Sequence, residues 1–231
     1  MNAFRLFILV VSITCFTPIA SASIAPGDLI ISEVMANPSA VSDADGEWFE
    51  LHNLTGNSLD INGLTISDNG SNLHVIDNGG SLIIDPFGYL VLGRNGNSAL
   101  NGGITVDYVY NNFVLSNSED EIIISSLSTE IVRLEYGAGF AVAGESQELS
   151  GTVGFPLDDS DYVSSISVYG VGDLGTPGSA GDSSWTIAVQ PVPIPPAIWL
   201  FSSAVLGFMG LTKKRPALGR PNQQLVASIN Q

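Results

Sequence analysis

The stretch Leu29–Asn53, LIISEVMANPSAVSDADGEWFELHN, decides the fold. Leu29, Ile30, Ile31 and Val34 make a short apolar run, which Asn37-Pro38 ends, because proline has no N–H for a strand ladder and restricts the residue before it. Ser42–Gly46 (SDADG) reads as a loop in which glycine supplies turn geometry and aspartate bonds its own backbone. From Glu47 to Asn53 alternation resumes, with Phe49 and Leu51 on one face and Trp48, Glu50 and His52 on the other. The reading is strand, turn-rich loop, strand.

Downstream, Asn62-Gly63 stands between Leu59-Asp60-Ile61 and Leu64-Thr65-Ile66 and predicts a tight hairpin. Leu73–Ile76 and Leu82–Ile84 are further candidate strands, and Pro86-Phe87-Gly88 sets a turn before the buried run Tyr89–Leu92. Residues 94–103 are an Asn/Gly-rich loop, and Tyr108–Leu115 is ambiguous. Ser116–Asp120 is a polar turn; Glu121–Ser125 and Glu130–Tyr136 then predict a hairpin. The strands are short, turn signals separate them, and no stretch keeps a helical period. That pattern predicts an all-β, antiparallel sandwich.

Charge narrows the function. All 23 acids of the 231-residue chain lie between Asp28 and Asp182, where the basic residues are Arg94 and Arg133 alone, a net charge of −21 for that body. Such a field repels phosphate backbones, so no nucleic-acid partner is expected. The single cysteine, Cys15, precedes the body, so the fold must rest on its core without a disulfide.

The ordered elements Ser32-Glu33-Val34, Asn37-Pro38, Asp45-Gly46 and Glu47-Trp48-Phe49-Glu50-Leu51-His52-Asn53 resemble the opening of the lamin-tail domain. The resemblance continues through Asp60–Asp68, Asp85–Leu92, the 115–136 region, Ala143–Ser146 and Asp173–Gly178, so it runs from about Ile30 to Gly178. Gly103–Tyr108 and Ser150–Tyr169 fit it poorly. It implies an immunoglobulin-like sandwich over 23–178, with Trp48, Glu50, Asn53, Gly63 and Tyr89 serving core packing and turn geometry rather than catalysis.

The two ends read as addresses. Arg5, the apolar core Leu6–Phe16 and Ala20-Ser21-Ala22 form a secretory signal, a leader helix over 1–22 cut after Ala22. Residues 179–192 read as a small-residue linker. Val192-Pro193-Ile194-Pro195, the apolar segment Ala197–Leu211 and Lys213-Lys214-Arg215 follow, within a span of 193–215, and 216–231 form a terminal tail. As a helix the apolar segment is about 22 Å long, short of the roughly 30 Å membrane core. This order resembles the PEP-CTERM sorting tail in its Val-Pro-Leu-Pro variant, although no Glu stands between the prolines and the chain runs on past the basic cluster. The resemblance implies a short transmembrane helix in the inner membrane of a Gram-negative bacterium and processing by an exosortase. A permanent membrane anchor is the alternative.

Chemistry is sparse. Asp43, Asp45 and Glu47 are the candidate metal ligands, because carboxylates two apart around a glycine turn can converge on calcium; a solvated loop is the alternative. Asp158-Asp159-Ser160-Asp161 is a weaker candidate of the same kind. His52 and Glu50 share a strand face without a third zinc ligand, and His74 reads as structural. Gly181-Asp182-Ser183 has neither a preceding strand nor a following His, so it is not a hydrolase motif. The expectation is a non-enzymatic binding or structural module without a cofactor, sorted to the cell envelope or extracellular matrix, with exopolysaccharide or a surface protein as partner. A calcium-dependent adhesion module and an extracellular hydrolase with an acidic cleft are the rivals.

Overall fold

A computed structural model describes residues 23–188. The leader over 1–22, the Val192–Pro195 motif, the apolar segment and the basic tail lie outside the described residues. In chain order the strands are β1 (Leu29–Met35), β2 (Trp48–Asn53), β3 (Leu59–Asp60), β4 (Thr65–Ser67), β5 (Leu73–Val75), β6 (Ile83–Ile84), β7 (Tyr89–Gly93) and β8 (Tyr108–Val109). They continue as β9 (Asp120–Ser126), β10 (Thr129–Tyr136), β11 (Gln147–Leu149), β12 (Gly151–Val153), β13 (Leu157–Asp158), β14 (Tyr162–Ser164) and β15 (Trp185–Ile187).

Two main sheets share one apolar core. One runs β14-β11-β1-β2-β7-β8 and the other β13-β10-β9-β4-β5, with two-stranded ribbons β12-β15 and β3-β6 beside them. Phe49 and Leu51, with Leu29, Ile31, Leu90 and Leu92, pack in the same cluster as Ile66, Ile122, Ile124, Val132 and Leu134 of the second sheet. Trp48 belongs to a separate cluster with Met35, Val91 and Ile104. The alternation read from residues 47–53 is therefore real. The second face of β2 is nonetheless covered, and all six of its residues are buried.

Four expectations are corrected. Asn62-Gly63 is a turn, with Leu64 N–H donating to Ile61 O at 3.1 Å, but it does not join a hairpin. Gly63 has φ +87° while Asn62 is not among the positive-φ residues; a tight hairpin turn that matches strand twist needs positive φ at the first central position. The flanking strands splay instead. β3 pairs with β6, while β4 pairs with β5 and β9. Second, the sandwich is not wholly antiparallel, since β7·β8, β10·β13 and β12·β15 are parallel pairs. Each follows a long connection, which a parallel return requires. Third, Asp43–Gly46 is one helical turn rather than an open loop. Fourth, the linker expected from 179 is folded as far as 188, where β15 pairs with β12.

Candidate functional site: a buried carboxylate row beneath the C-terminal segment

A bulge in β1 builds the row. Ile31 pairs with Leu51 and Glu33 with Glu50, which leaves Ser32 as the extra residue between them. Both Ser32 and Glu33 therefore lie opposite Glu50. On the other side of β1, Glu33 pairs with Glu148 of β11. Three glutamates thus run laterally across three adjacent strands, with side-chain-bearing residues at most 1 % exposed. Cross-strand like charges repel, and burial penalises each ionised form.

The C-terminal segment supplies what the row lacks. Thr176 donates to Glu33 through N–H at 2.8 Å and through Oγ1 at 2.7 Å, and Ser146 Oγ donates to the same carboxylate. Gly178 N–H donates to Glu50 Oε2 at 2.6 Å, while Ser32 Oγ donates to Oε1 at 2.6 Å. Glu148 receives Asp182 N–H at 2.9 Å and Ser183 N–H at 2.6 Å. A β-carbon on Gly181 would lie 2.8 Å from Glu148 Oε2, so the backbone approaches this closely only because residue 181 has no side chain. Asp182 closes the segment by accepting from Ser167 Oγ, Ile166 N–H, Ser165 Oγ and Ser167 N–H, and these bonds, the Ser167 hydroxyl first, hold its carboxyl down at about 2.

Burial dominates the acidity of Glu33 and Glu50. It pushes Glu50 up to about 8, aided by the neighbouring Glu33 charge and opposed by the Ser32 hydrogen bond. Glu33 is raised for the same first reason, against the bonds from Ser146 and Thr176. Glu47, buried beside Arg94 at 3.2 Å, is pushed up to about 7 by desolvation, although Leu115 N–H and Arg94 both favour its charge.

The candidate calcium ligands do not converge. Asp43 accepts from Asn117 Nδ2 at 2.9 Å, Asp45 from Ser42 Oγ and Asn95 Nδ2 at 2.8 Å each, and Glu47 turns inward to Arg94 and Leu115. Asp158 and Asp161 form a reciprocal cap on the 3-10 turn Asp159–Asp161. Among the described residues no group of three or more His, Cys, Asp or Glu is placed to hold a metal ion. His52 and Glu50 do not share a ligand either. His52 Nδ1 lies 3.0 Å from Gly88 O and its ring stacks on Tyr89 at 4.2 Å. His74 is buried, with Nε2 2.7 Å from Tyr108 Oη.

The remaining residues singled out in the sequence hold backbone together. Trp48 Nε1 donates to Tyr169 Oη at 3.2 Å, which ties β2 to the C-terminal segment. Asn53 Nδ2 donates to Asn57 O, Ile84 O and Asp85 O, and its Oδ1 receives Thr55 N–H. Glu50 is neither an apolar packing residue nor a turn residue, but an acceptor for the overlying chain. Glu33, Glu148, Thr176 and Gly178 were not singled out as site residues. The available signal was an acid inside an apolar strand run, Ile31-Ser32-Glu33-Val34, facing a second acid inside Phe49-Glu50-Leu51.

An acidic cleft of about 780 Å³ lies elsewhere, along β9, β10 and the 156–160 loop. Burial raises Asp120 there, but both its oxygens accept backbone N–H groups, from Ser116 at 2.8 Å and Glu121 at 2.9 Å. Asp120 therefore caps a turn.

The two stacked sheets, with Trp48 and Asn53 pinning backbone and the buried acids hydrogen-bonded, define an all-β sandwich domain. The model of the lamin tail domain family matches residues 22–138, just over half of the chain, and the chain belongs to that family. That family is an immunoglobulin-like domain, typically a non-enzymatic binding or structural module. No curated protein and no solved structure matches the chain. Residues 139–188, beyond the matched part, complete the same sheets through β11 and β14 and supply the cover of the carboxylate row.

Proposed function

We propose that this chain is an exported, non-enzymatic lamin-tail module that binds or scaffolds at the cell envelope or in the extracellular matrix of a Gram-negative bacterium. The observation that carries the non-enzymatic part is how its most perturbed acids are used. Glu33 and Glu50 spend their oxygens on Ser32, Ser146, Thr176 and Gly178 of the same chain, and Glu47 on Arg94 and Leu115. A general acid or base must reach a substrate proton; these face the protein's own backbone and hydroxyls. The module needs no cofactor in this reading, and millimolar calcium should leave its melting temperature unchanged; a rise on adding calcium would favour the calcium-dependent alternative.

The address is read from the sequence. A leader ending at Ala22 carries the chain across the inner membrane, and Val192-Pro193-Ile194-Pro195, Ala197–Leu211 and Lys213-Lys214-Arg215 form the sorting tail on which an exosortase-type enzyme acts. The density of negative charge favours a cationic or polyhydroxyl partner over nucleic acid. The test is the intact mass of the protein recovered from its native host. A product that begins at Ser23 and ends near Val192 supports export and processing. A product that reaches Gln231 overturns the sorting tail in favour of a permanent anchor.

A further inference from the structure

β10 is bounded unequally. β9 pairs with it from Thr129 to Tyr136, but on its other side β13 pairs only with Leu134 and Glu135. Among the described residues, no backbone hydrogen bond outside the ladders involves Glu130, Ile131, Val132 or Arg133. The groups of this half-strand that do not turn toward β9 therefore line an open edge, which is a template for an added strand.

A groove of about 430 Å³ follows that edge, lined by Glu130–Arg133 on one side and by Pro26, Gly27, Phe155 and Pro156 on the other. Pro26 and Pro156 have no N–H, so neither can donate to a ladder. Phe155 is 40 % exposed and offers an apolar wall. The groove shares Arg133 and Pro156 with the acidic cleft, which Glu119, Glu121, Glu135 and Asp159 also line, while Arg133 itself pairs with Glu130 at 3.1 Å. An occupant of the edge thus meets apolar surface on one side and carboxylates on the other, and a strand presents alternate side chains to opposite sides.

We propose that this half of β10 takes up a cationic, extended peptide segment as an additional strand, with apolar side chains in the groove and alternate Lys or Arg side chains toward the acidic cleft. Charge complementarity selects the occupant. A second copy of this body, at −21, is repelled by its own charge. The inference deepens the binding-module reading and rests on it, but not on export or on processing of the tail.

The test titrates the purified full-length chain into fluorescein-labelled Lys-Val-Lys-Val-Lys-Val and reads anisotropy. Two further peptides carry N-methyl groups on the odd or on the even residues, which blocks one row of N–H donors at a time. Only one row can face β10, so one methylated peptide should retain binding and the other should lose it by at least about tenfold. The surface double variant Glu121→Gln/Glu135→Gln should bind the parent peptide about tenfold more weakly, with an unchanged circular dichroism spectrum. The proposal is overturned if both methylated peptides bind as the parent does, if both lose binding, if the parent does not bind, or if the double variant binds unchanged. None of these results alters the intact mass, so failure here is distinguishable from failure of the export reading.

Discussion

Glutamine at position 50 should flatten the pH dependence of this protein's stability. Glu50 is buried and its carboxyl is pushed up to about 8, against 4.5 in the open chain. A folded value above the unfolded one means that the native state holds a proton which the unfolded state has released. The associated stability is therefore present below about pH 4.5 and is lost as pH rises toward about 8. Relative to the folded state, ionising this group favours the unfolded chain by about 1 kcal/mol at pH 5 and by about 4 at pH 8, so Glu50 alone lowers stability by about 3–4 kcal/mol across that interval. Glu47, pushed up to about 7, and Glu33, also raised, add slope of the same sign. In Glu50→Gln the amide oxygen can still accept from Gly178 N–H, and the amide NH₂ can donate to Ser32 Oγ, so the fold keeps its bonds while position 50 no longer titrates. Urea unfolding followed by tryptophan fluorescence at pH 5, 6, 7 and 8 measures both slopes. The wild type should become steadily less stable and the variant should lose about half of that slope or more. A wild type whose stability is flat or rises with pH, or a variant with the wild-type slope, refutes the reasoning.

Three further outcomes follow from single residues. The Tyr110 hydroxyl is buried without a hydrogen-bond partner among the described residues, so Tyr110→Phe should leave stability unchanged or raise it by about 1 kcal/mol, measured by thermal unfolding. Phe87 has φ +57° and is 62 % exposed; Phe87→Gly relieves that left-handed strain and should raise the stability by about 1 kcal/mol, net of the entropy glycine adds to the unfolded chain. Thr176→Val removes the 2.7 Å hydroxyl bond to Glu33 Oε2 and should cost about 1–3 kcal/mol in urea unfolding, because a buried acceptor loses a donor.

The strand pair at the centre of the sandwich was legible because its signal is side-chain period. Phe49 and Leu51 against Trp48 and Glu50 separate faces whatever lies on them, while the 121–136 hairpin was legible from its two apolar runs, Ile122–Ile124 and Ile131–Leu134. Asn62-Gly63 misled because the dipeptide specifies a turn, while the φ of Asn62, which decides whether the strands close or splay, is not written in it. The carboxylate row was hidden for a different reason. Glu33, Glu50 and Glu148 are far apart in sequence and look like solvent positions; only pairing register brings them into line, and that register depends on a bulge at Ser32. Their cover was hidden because residues 173–188 hold on largely through backbone N–H groups, which Gly, Ser and Thr present without an apolar period. From residue 179 on, such small-residue composition reads as linker.

The buried glutamates clamp the C-terminal segment onto the sheet, and hydrogen–deuterium exchange resolved to single amides reads that clamp. The N–H groups of Thr176, Gly178, Asp182 and Ser183, donors to Glu33, Glu50 and Glu148, should be protected nearly as well as those of β1 and β2. Exchange of those four amides at the rate of an open chain, while β1 and β2 stay protected, would contradict it.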